Sequence, residues 1–329
     1  MKILKHDDSV VLPEIITIEA QMIPGDVERE VEVHIVTPRL GVNANTGLML
    51  VSHNWGGTWE MCWDWCPVLA NKFNLICIDT NYLQSGPYDP AAGVYDFGLL
   101  QAMDCLRAMG EVRKYLDEKG VIFNRRRNYA AGASGGGNVS QMVNKLAPHT
   151  FGCIIDLCGM PGLTDEIAYG ECLRLNAGYS RDPEKTNYLA AHMQEIRDFG
   201  NPAHLAIQYQ CNPDNQVVIV HGVDDDYCSC PDKVQIFGNM LRAGFKPEGY
   251  FITPGMVDGI VVKDTGHAIG DRAYIIAKYG QRFIQEKGEF VKLVECDDFD
   301  RKSVIEYPVT GGCYQIDFSG VPTINFVEA

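Results

Sequence analysis

The sequence predicts an α/β protein with a mostly parallel sheet and helices on both faces. Two observations carry this. Short, uninterrupted apolar runs recur at Leu48–Val51, Leu75–Ile78, Cys153–Leu157 and Val217–Val220, the pattern of strands buried on both faces. Between them lie longer segments with helical spacing of apolar residues, and strand–helix alternation of this kind builds parallel sheets.

The elements follow in order. Residues 14–21 and 30–37 read as two strands, the second with Val31, Val33 and Ile35 on one face and Glu32, His34 and Val36 on the other. Pro24-Gly25-Asp26 supplies turn chemistry between them, so they form an antiparallel hairpin. The buried strand Leu48–Val51 leads into the loop Ser52-His53-Asn54-Trp55-Gly56-Gly57-Thr58 and a Trp-rich helix over about 59–72. Leu75–Asp79 is the next strand, followed by a Gly/Pro-rich loop over 84–90. A long helix covers 96–119, with Leu99, Met103, Leu106, Met109, Val112 and Leu116 on one stripe. Then come a strand at 128–131, a helix at 138–146 and a strand at 153–157. Residues 160–212 break the rhythm and read as a helical cap insertion, punctuated by Pro183 and Pro202. Val217–Val220 resumes the sheet, with helices at 231–243 and 271–287 and a strand near 249–253. The tail is acidic and strand-like (KLVECDDF, SVIEYPV, CYQIDF, TINFVE). It suits an appended β-element or a homo-oligomer contact. The division is therefore a core of 1–159 and 213–290, a cap of 160–212 and a β-rich extension of 291–329.

Composition narrows the function. A net charge of −15 argues against nucleic acid and anionic membranes as partners. The run Arg125-Arg126-Arg127 reads as a solvated strand start. No stretch reaches membrane-spanning length, and His6, Asp7 and Asp8 stand where a signal peptide needs apolar residues, so the expected compartment is the cytoplasm. The 12 cysteines form no C-x-x-C pair and are expected to be reduced, buried thiols. Asp224–Asp226 with Cys228 and Cys230 mixes hard and soft donors on one loop, which disfavours a metal site. No metal and no cofactor are expected.

The chemistry concentrates at Gly132-Ala133-Ser134-Gly135-Gly136, a G-x-S-x-G motif between a strand and a helix. A sharp strand-to-helix turn lifts the serine hydroxyl out of the sheet edge, and the following helix aims its N–H groups at the same place. A serine needs a base, and the base needs an orienting acid. Downstream, Val217–Val220 runs into His221-Gly222-Val223-Asp224-Asp225-Asp226, and Thr265-Gly266-His267 precedes the last helix. Any of the three aspartates could serve as the acid by position. His34, His53 and His221 read as structural.

The order serine, acid, histidine resembles the α/β-hydrolase superfamily of serine hydrolases. Within it, HGVDD is similar to the H-G-x-x-D acid loop, which selects Asp225, and TGHAIGD to the histidine loop, which selects His267. These two loops also resemble a bacterial group described only as a domain of unknown function. His53-Asn54-Trp55-Gly56-Gly57 resembles the H-G-x-G oxyanion loop but has Asn54 where glycine is usual, a residue tolerant of positive φ. The resemblance covers about residues 14–290. It implies a catalytic triad of Ser134, Asp225 and His267, an oxyanion hole from the Trp55 and Gly135 N–H groups, and Asn54 and Tyr82 at the substrate pocket. The implied reaction is hydrolysis of a small-molecule carboxylic ester through an acyl-enzyme. A peptidase or amidase, an acyltransferase, and a non-catalytic binding protein on the same scaffold remain as alternatives.

Overall fold

The computed structural model describes residues 12–22, 28–87, 93–171 and 174–329. The expected turn at Pro24-Gly25-Asp26 and part of the loop over 84–90 lie outside them. The elements are β1 (Ile15–Glu19), β2 (Glu30–Val36), β3 (Gly47–Ser52), α1 (Trp65–Phe73), β4 (Leu75–Thr80), α2 (Leu99–Glu118), β5 (Asn128–Ala133), α3 (Gly135–Leu146) and β6 (Cys153–Leu157). They continue with α4 (Asp165–Ala168), α5 (Ala191–Arg197), α6 (Pro202–Cys211), β7 (Gln216–Gly222), α7 (Cys230–Ala243), β8 (Glu248–Ile252), α8 (Arg272–Ile284), α9 (Asp298–Arg301), β9 (Val304–Val309), β10 (Gly312–Asp317) and β11 (Thr323–Glu328).

The main sheet has eight strands in the order β1-β2-β4-β3-β5-β6-β7-β8. Pairings from β4 through β8 are parallel, while β2 runs antiparallel to both β1 and β4. Period-2 geometry divides each strand between two cores. Leu48, Leu50, Ala130 and Ile154 join the core under α2, α3 and α7, whereas Met49, Val51, Ala131 and Ile155 join the core under α1 and α8. Strands buried on both sides are what the unbroken apolar runs required.

Several local expectations change. The Trp-rich helix is two pieces, a 3-10 turn over Trp59–Cys62 and then α1. The 160–212 segment is mostly irregular, with helices of four and seven residues before α6. Leu163, Ile167, Tyr179 and Leu189 of this segment form a third core with Tyr95 and Phe97, against which Trp55 packs. Arg127 is not solvated. It is 1% exposed, and its guanidinium donates to the carbonyls of Asn45, Phe73 and Ile284, tying together three element ends.

The tail forms an antiparallel sheet in the order β11-β10-β9. The KLVECDDF stretch is not a strand; its end forms the start of α9. Buried carboxylates lock this region to the core. Asp297 pairs with Arg113 at 2.6 Å, and Asp298 accepts from His149 Nδ1 at 2.7 Å and Thr150 Oγ1 at 2.8 Å. No described helix is long and apolar enough to cross a membrane.

Candidate active site

Ser134 stands between β5 and α3 with φ 56° and ψ −119°, a backbone conformation that costs a non-glycine residue energy. Three bonds hold it there. Its N–H donates to Leu157 O at 3.0 Å, and its carbonyl accepts from Asn138 N at 3.2 Å and Met160 N at 3.0 Å. The flanking glycines are sterically required. A Cβ at Gly136 would collide with Ser52 O and lie 2.5 Å from His53 O, and one at Gly132 would collide with Gly136 O. The loop after β3 therefore lies directly on the first turn of α3.

Trp55 N is the atom nearest to a Cβ built on Gly135, at 2.6 Å, so the backbones of the two residues approach closely at the elbow. The loop is braced from behind. The Tyr82 hydroxyl donates to His53 O, and the two rings stack at 4.1 Å. Tyr82 is 2% exposed, so it supports the loop rather than lining an open pocket. His53 Nδ1–H donates to Asn54 O at 3.0 Å and Nε2 faces Ser85 Oγ at 2.9 Å. Burial pushes the His53 ring down to a pKa of about 4, so it is a neutral structural group. Asn54 does not adopt a positive φ; the left-handed residue of this loop is Gly56, at 77°. Asn54 keeps the loop by another route, with Nδ2 donating to Trp55 O at 3.2 Å.

The aspartate cluster is resolved by its partners. Asp224 accepts from Thr265 Oγ1 at 2.5 Å, and Asp226 pairs with Arg174 at 2.6 Å. Asp225 faces the histidine. Its carboxylate lies 2.8 and 3.0 Å from His267 Nδ1 and accepts from the N–H groups of Tyr227 and Cys228, both at 2.9 Å. Burial pushes the Asp225 carboxyl up, but the His267 and Cys228 hydrogen bonds outweigh it and hold the group below its ordinary range. With Nδ1 committed to the carboxylate, Nε2 is the ring nitrogen left for other chemistry. Gly222 lets the two loops meet, since a Cβ there would collide with Thr265 O. Among the described residues, no hydrogen bond joins Ser134 Oγ to the His267 ring; such contacts commonly tighten only with substrate.

The sequence did not point to several residues around this constellation. Tyr227 lies against the His267 ring at 5.0 Å, and the Arg174 guanidinium lies 4.8 Å from the Tyr227 ring centre. His221 Nε2–H donates to Cys228 O at 2.9 Å and approaches Asp225 at 3.4 Å. Behind the elbow, the fully buried Asp156 pairs with the fully buried Lys233 at 2.8 Å and accepts from Gln141 Nε2 at 3.1 Å and Gly159 N at 2.9 Å. A lone aspartate in an apolar run was the only available signal for that network, and its partner is 77 residues away. Among the described residues, two groups of side chains offer metal-ligand atoms within 4.8 Å of one another: Cys158, His221 and Asp225, and Asp225, Cys228 and His267. Cys230 belongs to neither.

Comparison with known proteins follows the same outline. A family profile described as "Protein of unknown function (DUF2920)" matches residues 171–321, which carry both the acid and the histidine loops. No curated protein matches by sequence. Among solved structures, the chain is similar to the acylaminoacyl peptidase of Pyrococcus horikoshii, with a TM-score of 0.58 and 13% identity over 84% of this chain and 42% of the peptidase. The chain thus spans less than half of that protein's length. An arylesterase matches with a TM-score of 0.51 and 16% identity over 82% of each chain. A structure from a study of Rhizomucor miehei esterases matches at 0.50 and 15%, over 75% of this chain and 81% of the esterase. The strand order, the strained serine elbow and these structural likenesses together identify the chain as an α/β-hydrolase fold.

Proposed function

We propose that this protein is a serine hydrolase that cleaves a carboxylic ester through an acyl-enzyme. The observation that carries the reading is Ser134 in a strained elbow on the same sheet edge as a bonded Asp225–His267 pair. In this reading Ser134 Oγ attacks the carbonyl carbon while His267 Nε2 takes its proton. Asp225 fixes the tautomer and stabilises the imidazolium. The N–H groups of Trp55 and Gly135 hold the developing oxyanion, supported by the α3 N-terminus. His267 then returns the proton to the leaving alkoxide, and water repeats the sequence to release the acid. In this reading residues 160–212 are the cap, bringing their apolar core to Trp55 and Arg174 to the acid loop.

The arylesterase and Rhizomucor esterase likenesses favour an ester, and the acylaminoacyl peptidase likeness supplies the second reading, an amide or peptide bond. Labelling by a serine-directed fluorophosphonate tests the shared chemistry. Wild type is expected to label and Ser134→Ala is not; equal labelling of the two sinks the reading. Turnover of p-nitrophenyl esters against aminoacyl anilides then separates esterase from peptidase.

A further inference from the structure

The side chain of Cys228 has no place in the hydrolytic scheme, yet it sits beside the acid–histidine pair. One ligand atom from each of Asp225, Cys228 and His267 lies within 4.8 Å of the others. Thiolate sulfur, imidazole nitrogen and carboxylate oxygen are the three donor types that zinc takes in proteins. The other group of this kind, Cys158 with His221 and Asp225, is wholly buried, and its His221 Nε2–H is committed to Cys228 O. In the Cys228 group the thiol and the Asp225 carboxylate are buried and only the His267 side chain, at 17%, is exposed, so a cation would have to enter past the His267 ring. Asp224 and Asp264, on the same two loops, are exposed on a chain of net charge −15, which favours cations, while Asp226 is paired with Arg174.

We propose that Asp225, Cys228 and His267 form a binding site for a thiophilic divalent cation, and that its occupancy silences the hydrolase. Binding rests on the geometry alone, whereas silencing also rests on the triad reading above. The bonds formed are from the metal to Cys228 Sγ, His267 Nδ1 and an Asp225 oxygen. The Cys228 S–H breaks and its proton leaves to solvent. Nδ1 gives up its proton and Nε2 gains one, so the neutral ring changes tautomer. Nε2–H then donates instead of accepting, and Ser134 loses its base. The present Nδ1–carboxylate separation of 2.8 Å must widen by only about half an ångström for ligands near 2.0 Å from a tetrahedral metal. A loop histidine beside a buried carboxylate has that freedom.

Cadmium reports binding directly through the ultraviolet charge-transfer band of a cadmium–thiolate bond. A saturable band is expected in the wild type, in Ser134→Ala and in the thiol controls Cys158→Ser and Cys230→Ser. It is expected to disappear in Cys228→Ser. Zn2+ is expected to slow fluorophosphonate labelling of wild type at least about tenfold, reversibly with a chelator, and to leave Cys228→Ser near its own metal-free rate. A band that survives Cys228→Ser, or equal zinc sensitivity of that variant, overturns the proposal. If Cys228→Ser fails to fold, His267→Ala provides the second reading: it must weaken cadmium binding about tenfold or more, and unchanged affinity also overturns the site. A cadmium band in a protein that never labels would sink the hydrolase reading while leaving the metal site intact. Labelling without any band does the reverse.

Discussion

Replacing Gly135 with alanine probes the proposed oxyanion contribution. Gly135 is the first residue of α3 and has no positive φ, so alanine suits its backbone and helps the helix by up to about 1 kcal/mol. The new Cβ lies 2.6 Å from Trp55 N and 3.2 Å from Trp55 Cα. Relief requires the Trp55 backbone to retreat by roughly 0.8 Å or more to reach ordinary van der Waals separation. Tyr82 and His53 hold the loop from behind, so the movement falls on the N–H donor itself. Loss of one oxyanion donor costs on the order of 10²–10³ in kcat, and partial displacement is expected near the lower end, about 2.7 kcal/mol. The assay is steady-state hydrolysis of a p-nitrophenyl ester, alongside thermal melting. The expected outcome is kcat down about a hundredfold, KM within a few-fold and a lowered melting midpoint, because pressing a Cβ on braced backbone costs about 1–3 kcal/mol, more than the helix gains. A kcat within threefold of wild type would refute the assignment of Trp55 and Gly135.

Asp225→Asn is expected to keep the fold and lower kcat by about 10³–10⁴, because the amide no longer selects the Nδ1–H tautomer; a loss below tenfold in the same assay would remove Asp225 from the triad. The anchor between the core and the C-terminal sheet is expected to weaken at high pH. The Asp298 hydrogen bond raises the His149 pKa from 6.5 to about 9, so its stabilisation is complete below pH 6.5 and lost as pH rises through 9. It amounts to about 2 kcal/mol after solvent screening, and urea midpoints of wild type and His149→Ala should converge above that range. Lys233→Met leaves the Asp156 carboxylate buried without its cation and is expected to cost about 3–5 kcal/mol in chemical denaturation. The double variant Lys233→Met with Asp156→Leu should recover much of that loss.

Much of this architecture was legible because it is written locally. Unbroken apolar runs marked strands buried on both faces, and β3, β4, β6 and β7 lie where those runs are. The amphipathic stripe Leu99–Leu116 became the buried face of α2. G-x-S-x-G marked the elbow because the motif itself is local, with Gly132 answering to Gly136 O, although Gly136 answers to the distant Ser52 and His53 carbonyls. Features that depend on distant partners were misread or missed. Arg127 looks like a surface charge until three carbonyls from separate segments are folded around it. Tyr82 looks like a pocket residue until its hydroxyl meets His53 O. The 160–212 segment reads as a helical cap but forms less helix than that, since its short turns are held by packing onto Tyr95, Phe97 and Trp55 instead of by propensity.

The sequence by itself determined the layered α/β class, the position of the serine elbow and the two loops that carry Asp225 and His267. Those depend on local periodicity and on motifs a few residues long. The spacing alone left three adjacent aspartates open and the loop resemblance selected Asp225; the tertiary structure brings that residue against His267. The identity of neighbours across the sheet edge accounts for this: Thr265 takes Asp224, Arg174 takes Asp226, and Asp225 is left for the histidine. The same convergence set Cys228 beside that pair and Lys233 against Asp156. Partners so far apart in the chain leave no periodic trace, because a buried charge or thiol is defined by what folds around it.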